Sequence, residues 1–128
     1  MNNCTEVGSG GGIYAYGDLS INGEKSNISN NTSYTYGGGI IVKTKATINN
    51  CVICNNKALN NCGGGIDVDG ELILNNAKIY KNWCNQRGGG INYESKGAKV
   101  VYDKDKIKTF VFDNKANESG NDFYPELK

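Results

Sequence analysis

Asp67, Asp69 and Lys43 are the side chains whose types and spacing could do chemistry in this sequence of 128 residues. Two aspartates separated by one residue on an extended strand point to the same side. With a cation beside them they could share out a proton, one carboxyl held protonated and the other ionised, as acid–base work on a polysaccharide requires. The same oxygens are of the kind that coordinates Ca²⁺. Tyr14, Tyr16, Tyr34 and Tyr36 supply flat rings suited to stacking on glycans or on a partner surface, and Asn92 and Glu94 extend the polar set. Together Tyr14, Tyr16, Tyr34, Tyr36, Lys43, Asp67, Asp69, Asn92 and Glu94 make a candidate binding face. None is assigned a catalytic role, because Asp67/Asp69 with Lys43 is the only grouping of the required type.

Cys51 and Cys54 form a CxxC pair, but on a strand their positions are about 10 Å apart and face opposite sides, which suits neither a disulfide nor a zinc site. The chain has no histidine and no second CxxC, so no metal and no cofactor is assigned. Cys4, Cys51, Cys54, Cys62 and Cys84 are expected to be buried free thiols.

What positions the candidate face is a repeat. Three glycines followed by isoleucine occur at Gly10–Ile13, Gly37–Ile40, Gly63–Ile66 and Gly88–Ile91, at intervals of 27, 26 and 25 residues. A degenerate fifth corner stands at Gly120-Asn121-Asp122-Phe123. An apolar-x-x-Asn column reads Ile28/Asn31, Ile53/Asn56, Ile79/Asn82 and Val111/Asn114, followed two residues later by Ser33, Ala58, Cys84 and Ala116. A period in this range marks a solenoid. Glycine triplets break helices, apolar residues alternate with period two, and five leucines cannot supply a leucine-rich frame.

The expected fold is therefore all-β, a right-handed parallel β-helix of about four to five coils of roughly 25 residues, with three short strands per coil. One domain spans 1–128, with coils near 10–36, 37–62, 63–87 and 88–119, partial coils at 1–9 and 120–128, and a loop insertion at about 101–108. Asn31, Asn56, Asn82 and Asn114 should lie above one another and hydrogen-bond along the stack. The pairs Asn49-Asn50 and Asn75-Asn76 are corners that tolerate the left-handed conformation. Asn-x-Ser/Thr occurs at Asn3, Asn27, Asn30, Asn31 and Asn117, but in a chain with twenty asparagines such matches arise by chance.

Ile, Leu, Val and Phe number 27 of 128, close to the ~20% below which chains tend to disorder. The repeat restores the folded reading, since these residues fall in register. Net charge is +1 without a basic block, which gives no footing for nucleic acid or an anionic membrane. No stretch approaches a membrane span, and MNNCTEVGSG is not a signal peptide. Beginning in mid-repeat, the sequence reads as a segment or subunit of an exported protein. No amphipathic cap helix is legible at either end, so end-to-end stacking, a capping neighbour or a longer helix is expected.

The GG[GA]I corners alternating with apolar-x-x-Asn resemble the repeats of the chlamydial polymorphic outer membrane proteins and related adhesin-like surface proteins, over roughly residues 3–124. This chain has Ile or Val where that family usually has Phe before x-x-Asn. The resemblance implies a right-handed parallel β-helix at the cell surface or outside the cell. It implies a non-catalytic, adhesin-like module displaying a rigid face to a host or cell-surface glycan or protein. Two alternatives stand beside it: a self-assembling subunit that stacks end to end into a filament, and a carbohydrate-active, pectate-lyase-like or glycan-binding fragment.

Overall fold

The computed structural model describes residues 5, 6, 8–23, 25–102 and 109–125. It is all-β, a solenoid of parallel sheets. Sheet 1 stacks β2 (Ile13–Ala15), β6 (Ile40–Val42), β10 (Ile66–Val68), β14 (Ile91–Asn92) and β18 (Phe123–Tyr124). Sheet 2 stacks β3 (Leu19–Ile21), β7 (Lys45–Asn49), β11 (Glu71–Asn75) and β15 (Lys99–Tyr102). Sheet 3 stacks β4 (Ser26–Ser29), β8 (Cys51–Cys54), β12 (Lys78–Tyr80) and β16 (Phe110–Phe112). Sheet 4 stacks five two-residue strands: β1 (Thr5–Glu6), β5 (Thr32–Ser33), β9 (Lys57–Ala58), β13 (Trp83–Cys84) and β17 (Lys115–Ala116).

Four strands per coil, not three, is the first correction. The chain turns through positive φ at Asn30, Asn55, Lys81 and Asp113, each one residue before a column asparagine. This kink sets the small-residue segment at an angle to sheet 3, where it pairs with its own neighbours above and below. The expected left-handed corners between sheets 2 and 3 are present at Asn50 and Asn76.

The core is a set of vertical columns. Ile66 pairs with Ile40 on one side and Ile91 on the other, Leu72 with Ala46 and Val100, and Ile79 with Ile53 and Val111. Ile40, Ile66, Leu72, Leu74, Ile79 and Ile91 are fully buried, each worth about 1.5–3 kcal/mol of transfer free energy. The charged column on sheet 2 alternates in sign, Lys45–Glu71–Lys99, so like charges are not stacked.

The asparagine column is a continuous buried ladder. Asn31 donates its amide to Asn56 Oδ1 at 3.1 Å, Asn56 to Asn82 Oδ1 at 3.0 Å and Asn82 to Asn114 Oδ1 at 2.9 Å. Each Oδ1 also accepts the backbone N–H of the asparagine in the preceding rung. At Asn56, Asn82 and Asn114 the amide additionally reaches a carbonyl of the preceding rung, Ile28 O, Ile53 O and Ile79 O.

The C-terminal end carries a cap that the sequence reading does not contain. Asp122 Oδ1 accepts from both the backbone N–H and the amide of Asn114, and Asn121 Oδ1 accepts the backbone N–H of Ala116. These two residues sit where the earlier corners carry their second and third glycines. In those corners a Cβ would run into the next rung, at 2.6 Å from Gly90 O in the case of Gly65. At the last described corner side chains stand at these positions and accept the hydrogen bonds of Asn114 and Ala116. Above the core, Phe123 lies edge-on to Tyr93 at 6.5 Å and stacked with Tyr102 at 6.3 Å. Val101 and Tyr102, expected in the insertion, instead extend β15. Tyr102 continues the Leu74 column and covers it. Residues 103–108 of that insertion, Asn3 and Cys4 lie outside the described residues.

Replacing Asn82 by Ala removes the acceptor of the Asn56 backbone N–H and of one Asn56 amide hydrogen, and the donors to Ile53 O and Asn114 Oδ1, and should cost about 3 kcal/mol or more in urea unfolding. Asp122→Ala should cost about 1–3 kcal/mol by the same logic. Lys81→Asn relieves a left-handed lysine and should stabilise by up to about 1 kcal/mol. A loss below about 1 kcal/mol for Asn82→Ala would show that the ladder contributes little.

Candidate functional site

The glycine corner shapes the surface as well as the core. Gly37, Gly63 and Gly88 take positive φ and turn the chain so sharply that a Cβ on Gly63 would lie 2.8 Å from the Cβ of Asp67. The residue just before each corner therefore stands beside the outward side chain of the strand that follows. Backbone bonds from Gly10 to Tyr36 O, Gly37 to Cys62 O and Gly63 to Arg87 O set Ser9, Tyr36, Cys62 and Arg87 in one column. This column is one wall of a groove.

The floor is the outward column of sheet 1: Ile41, Asp67 and Asn92, paired in register. These side chains were expected on an open sheet face. Instead they are 2%, 3% and 2% exposed, because the corner wall rises beside them. The opposite wall holds Lys43, Asp69, Glu94 and Ser95, and the space enclosed is ≈ 230 Å³.

Asn92 Nδ2 donates to Asp67 Oδ1 at 2.7 Å, and Asn92 Oδ1 is buried without a protein partner. Lys43 Nζ donates to Asp69 Oδ2 at 2.7 Å, and Ser95 Oγ to Asp69 Oδ1 at 2.6 Å, so both oxygens of Asp69 are engaged. Arg87 donates to Glu94 Oε1 at 3.1 Å and lies over the Tyr124 ring at 5.3 Å.

The two aspartates titrate apart. Burial pushes Asp67 up to about 7, reinforced by the charges of Asp69 and Glu94 and opposed by the Asn92 hydrogen bond and Lys43. Asp69 is also raised by burial, but hydrogen bonds from Lys43 and Ser95 and the charge of Lys43 outweigh this and hold it below its ordinary value. Lys43 is raised, first by its bond to Asp69. Burial and the neighbouring Cys62, Asp67 and Glu94 raise Tyr36.

Of the expected face, Tyr36, Lys43, Asp67, Asp69, Asn92 and Glu94 converge on this groove. Tyr14, Tyr16 and Tyr34 are exposed but do not line it. Sequence reasoning missed Ser9, Ser95 and Arg87. The signal for Ser9 and Arg87 was present, since each immediately precedes a glycine triplet. Ser95 carried none.

Among the described residues no three His, Cys, Asp or Glu side chains are grouped so as to hold a metal ion. Among the described residues no helix is long and apolar enough to cross a membrane. Cys51, Cys54, Cys62 and Cys84 are buried free thiols. Burial raises Cys51 to about 11 and Cys84 to about 12, far from a reactive thiolate.

Asp67 gives a signed pH dependence. Its folded value of about 7 lies above the ordinary 3.8, so the folded state binds the extra proton between them. Stability is highest at the acid side of that window, falls as pH rises through it and levels above about 7. The change should be on the order of 2–4 kcal/mol. Asp69, shifted the other way, contributes stability that is lost only on acidification below the ordinary carboxyl range. Asp67→Asn should flatten the profile and exceed the parent in stability above about pH 7. Parallel denaturation profiles for parent and variant from pH 5 to 8 would contradict the assignment.

Comparison with family models, with curated proteins and with solved structures finds no match for this chain; the groove is what its function can be read from.

Proposed function

We propose that this chain is a non-catalytic binding module of a β-helix surface protein, holding its ligand in the groove along sheet 1. The observation that carries this reading is a buried polar floor, Asp67 and Asn92, held on stacked strands with an acceptor left open. Rigid strands fix such groups without the entropic cost that loops incur on binding. Tyr36 on the wall, and the exposed Tyr14, Tyr16 and Tyr34 nearby, add ring faces suited to a glycan or a protein surface. Placement at the cell surface or outside the cell rests on the resemblance of the repeats.

Two observations favour binding over the alternatives. The separated titration of Asp67 and Asp69 is the pattern of an acid–base pair, but both oxygens of Asp69 are already hydrogen-bonded. That leaves Asp69 a brace for Lys43 and Ser95. A filament that prolonged the asparagine column would need the Asn114 amide and the Ala116 N–H, and these are already taken by Asp122 and Asn121.

The test is binding to immobilised glycans and surface proteins by the parent, by Ser9→Trp at the groove rim and by Phe112→Ala on the outer face of sheet 3. Ser9→Trp should weaken binding at least about ten-fold, about 1.4 kcal/mol, with Phe112→Ala unchanged. The reverse pattern would move the site elsewhere. Cleavage of a polysaccharide, lost in Asp67→Asn, would replace this reading with an enzymatic one.

A further inference from the structure

Among the described residues two buried polar side-chain atoms lack a partner, Arg87 Nε on the wall, beside its ion pair with Glu94, and Asn92 Oδ1 on the floor. On the floor the donor present, the Asn92 amide, is given to Asp67; on the walls Lys43 and Ser95 each give a hydrogen to Asp69, and Ser9 shares a 2.6 Å bond with Thr35 in which either hydroxyl can donate. Asn92 Oδ1, on a side chain 98% buried (2% exposed), has no partner. Beside it, Asp67 has only its Oδ1 occupied by a described donor. An orphaned buried acceptor costs about 1–3 kcal/mol, which a ligand bringing a donor recovers. What the floor lacks is therefore N–H or O–H, not a carbonyl or a phosphate.

Charge narrows the class further. Lys43 pairs with Asp69 and Arg87 with Glu94, which leaves the Asp67 carboxyl as the one in the groove without an ion-pair partner among the described residues. A neutral hydroxyl brings one donor and leaves either Asn92 Oδ1 or the free oxygen of Asp67 unpaired. A primary ammonium brings three donors and the missing positive charge. The Tyr36 ring on the wall adds a face that attracts a cation. A metal ion is a weaker fit, since among the described residues no three acidic or thiol groups are placed to ligate one.

We propose that the groove recognises a primary ammonium group, seated between Asn92 Oδ1 and the free oxygen of Asp67, with Tyr36 alongside. This deepens the binding-module reading and rests on it. The ammonium could be carried by an amino sugar or by a lysine side chain; the chemistry at the floor is the same. Asp67 is faced by Lys43 from the rung on one side, by Asp69 from its own rung, by Glu94 from the rung on the other side and by Tyr36 from the wall. Asp67 exchanges its proton at about 7, so ammonium affinity should rise from pH 6 to pH 8.

The experiment follows the Asn92 side-chain amide by NMR during titration with four probes: glucosamine, N-acetylglucosamine, glucose and Nα-acetyl-lysine methylamide. Both amines should bind at pH 7 at least about ten-fold more tightly than the neutral sugars, and the lysine derivative, whose ammonium keeps its charge throughout, should bind more tightly at pH 8 than at pH 6. Asp67→Asn, isosteric and relieved of a buried charge, should lose about ten-fold or more for the amines alone. Glucosamine binding without the lysine derivative would assign the source as an amino sugar, and the converse a peptide. Equal binding of glucose and glucosamine would overturn the ammonium class while leaving the groove as a binding site. Amine binding indifferent to both Asp67→Asn and Ser9→Trp would overturn the proposal and the groove reading together. No shift at Asn92 with any probe at millimolar concentration would overturn the ammonium proposal alone, since the Ser9→Trp comparison on larger ligands stands apart from it.

Discussion

Everything in this molecule depends on one constraint: each rung must present the same backbone atoms at the same place as the rung beside it. Parallel pairing in strict register supplies most of the hydrogen bonds, but corners break the ladder of strands and leave polar groups with nowhere to go. The asparagine column answers that need. Asn56 and Asn82 each use the side-chain oxygen to receive the backbone and amide of the rung before, and the side-chain nitrogen to reach the asparagine of the rung after and a carbonyl of the rung before. An apolar residue of equal volume would leave these groups buried and unpaired, at a cost comparable to a large part of a domain's total stability.

The glycine triplet is the complementary device, and its positions have different reasons. The first takes the left-handed conformation; the next two have rung backbone packed where a Cβ would stand. Asn121 and Asp122 take the places of these two glycines at the last described corner. At that corner the side chains of Asn121 and Asp122 supply to Ala116 and Asn114 the acceptors that a column asparagine supplies in the other rungs.

The groove is a by-product of that corner. A tight left-handed glycine brings the pre-corner wall against the next strand, so side chains that alternate outward end up as a buried floor. Burial then decides the electrostatics. Asp67, on the floor, is pushed toward neutrality, while Asp69, two residues on, keeps its charge because Lys43 and Ser95 reach it. Two identical side chains on one strand acquire different chemistry from position alone.

The sequence by itself determined the solenoid, its period, the parity of its strands, the isoleucine columns and the asparagine ladder. It could do so because in a stacked repeat the residue one period away is also the spatial neighbour, so local spacing and tertiary contact coincide. The fourth strand was hidden, since its kink is set by positive φ at Lys81 and Asp113 as well as at asparagines, and neither residue announces that conformation. Only the tertiary structure decided the depth of the groove, the burial of Asp67 and Asn92, the partners of Asp69 and the cap formed by Asn121 and Asp122. These depend on the angle at each corner and on distances across it, and an angle is not a periodicity that residue spacing can record.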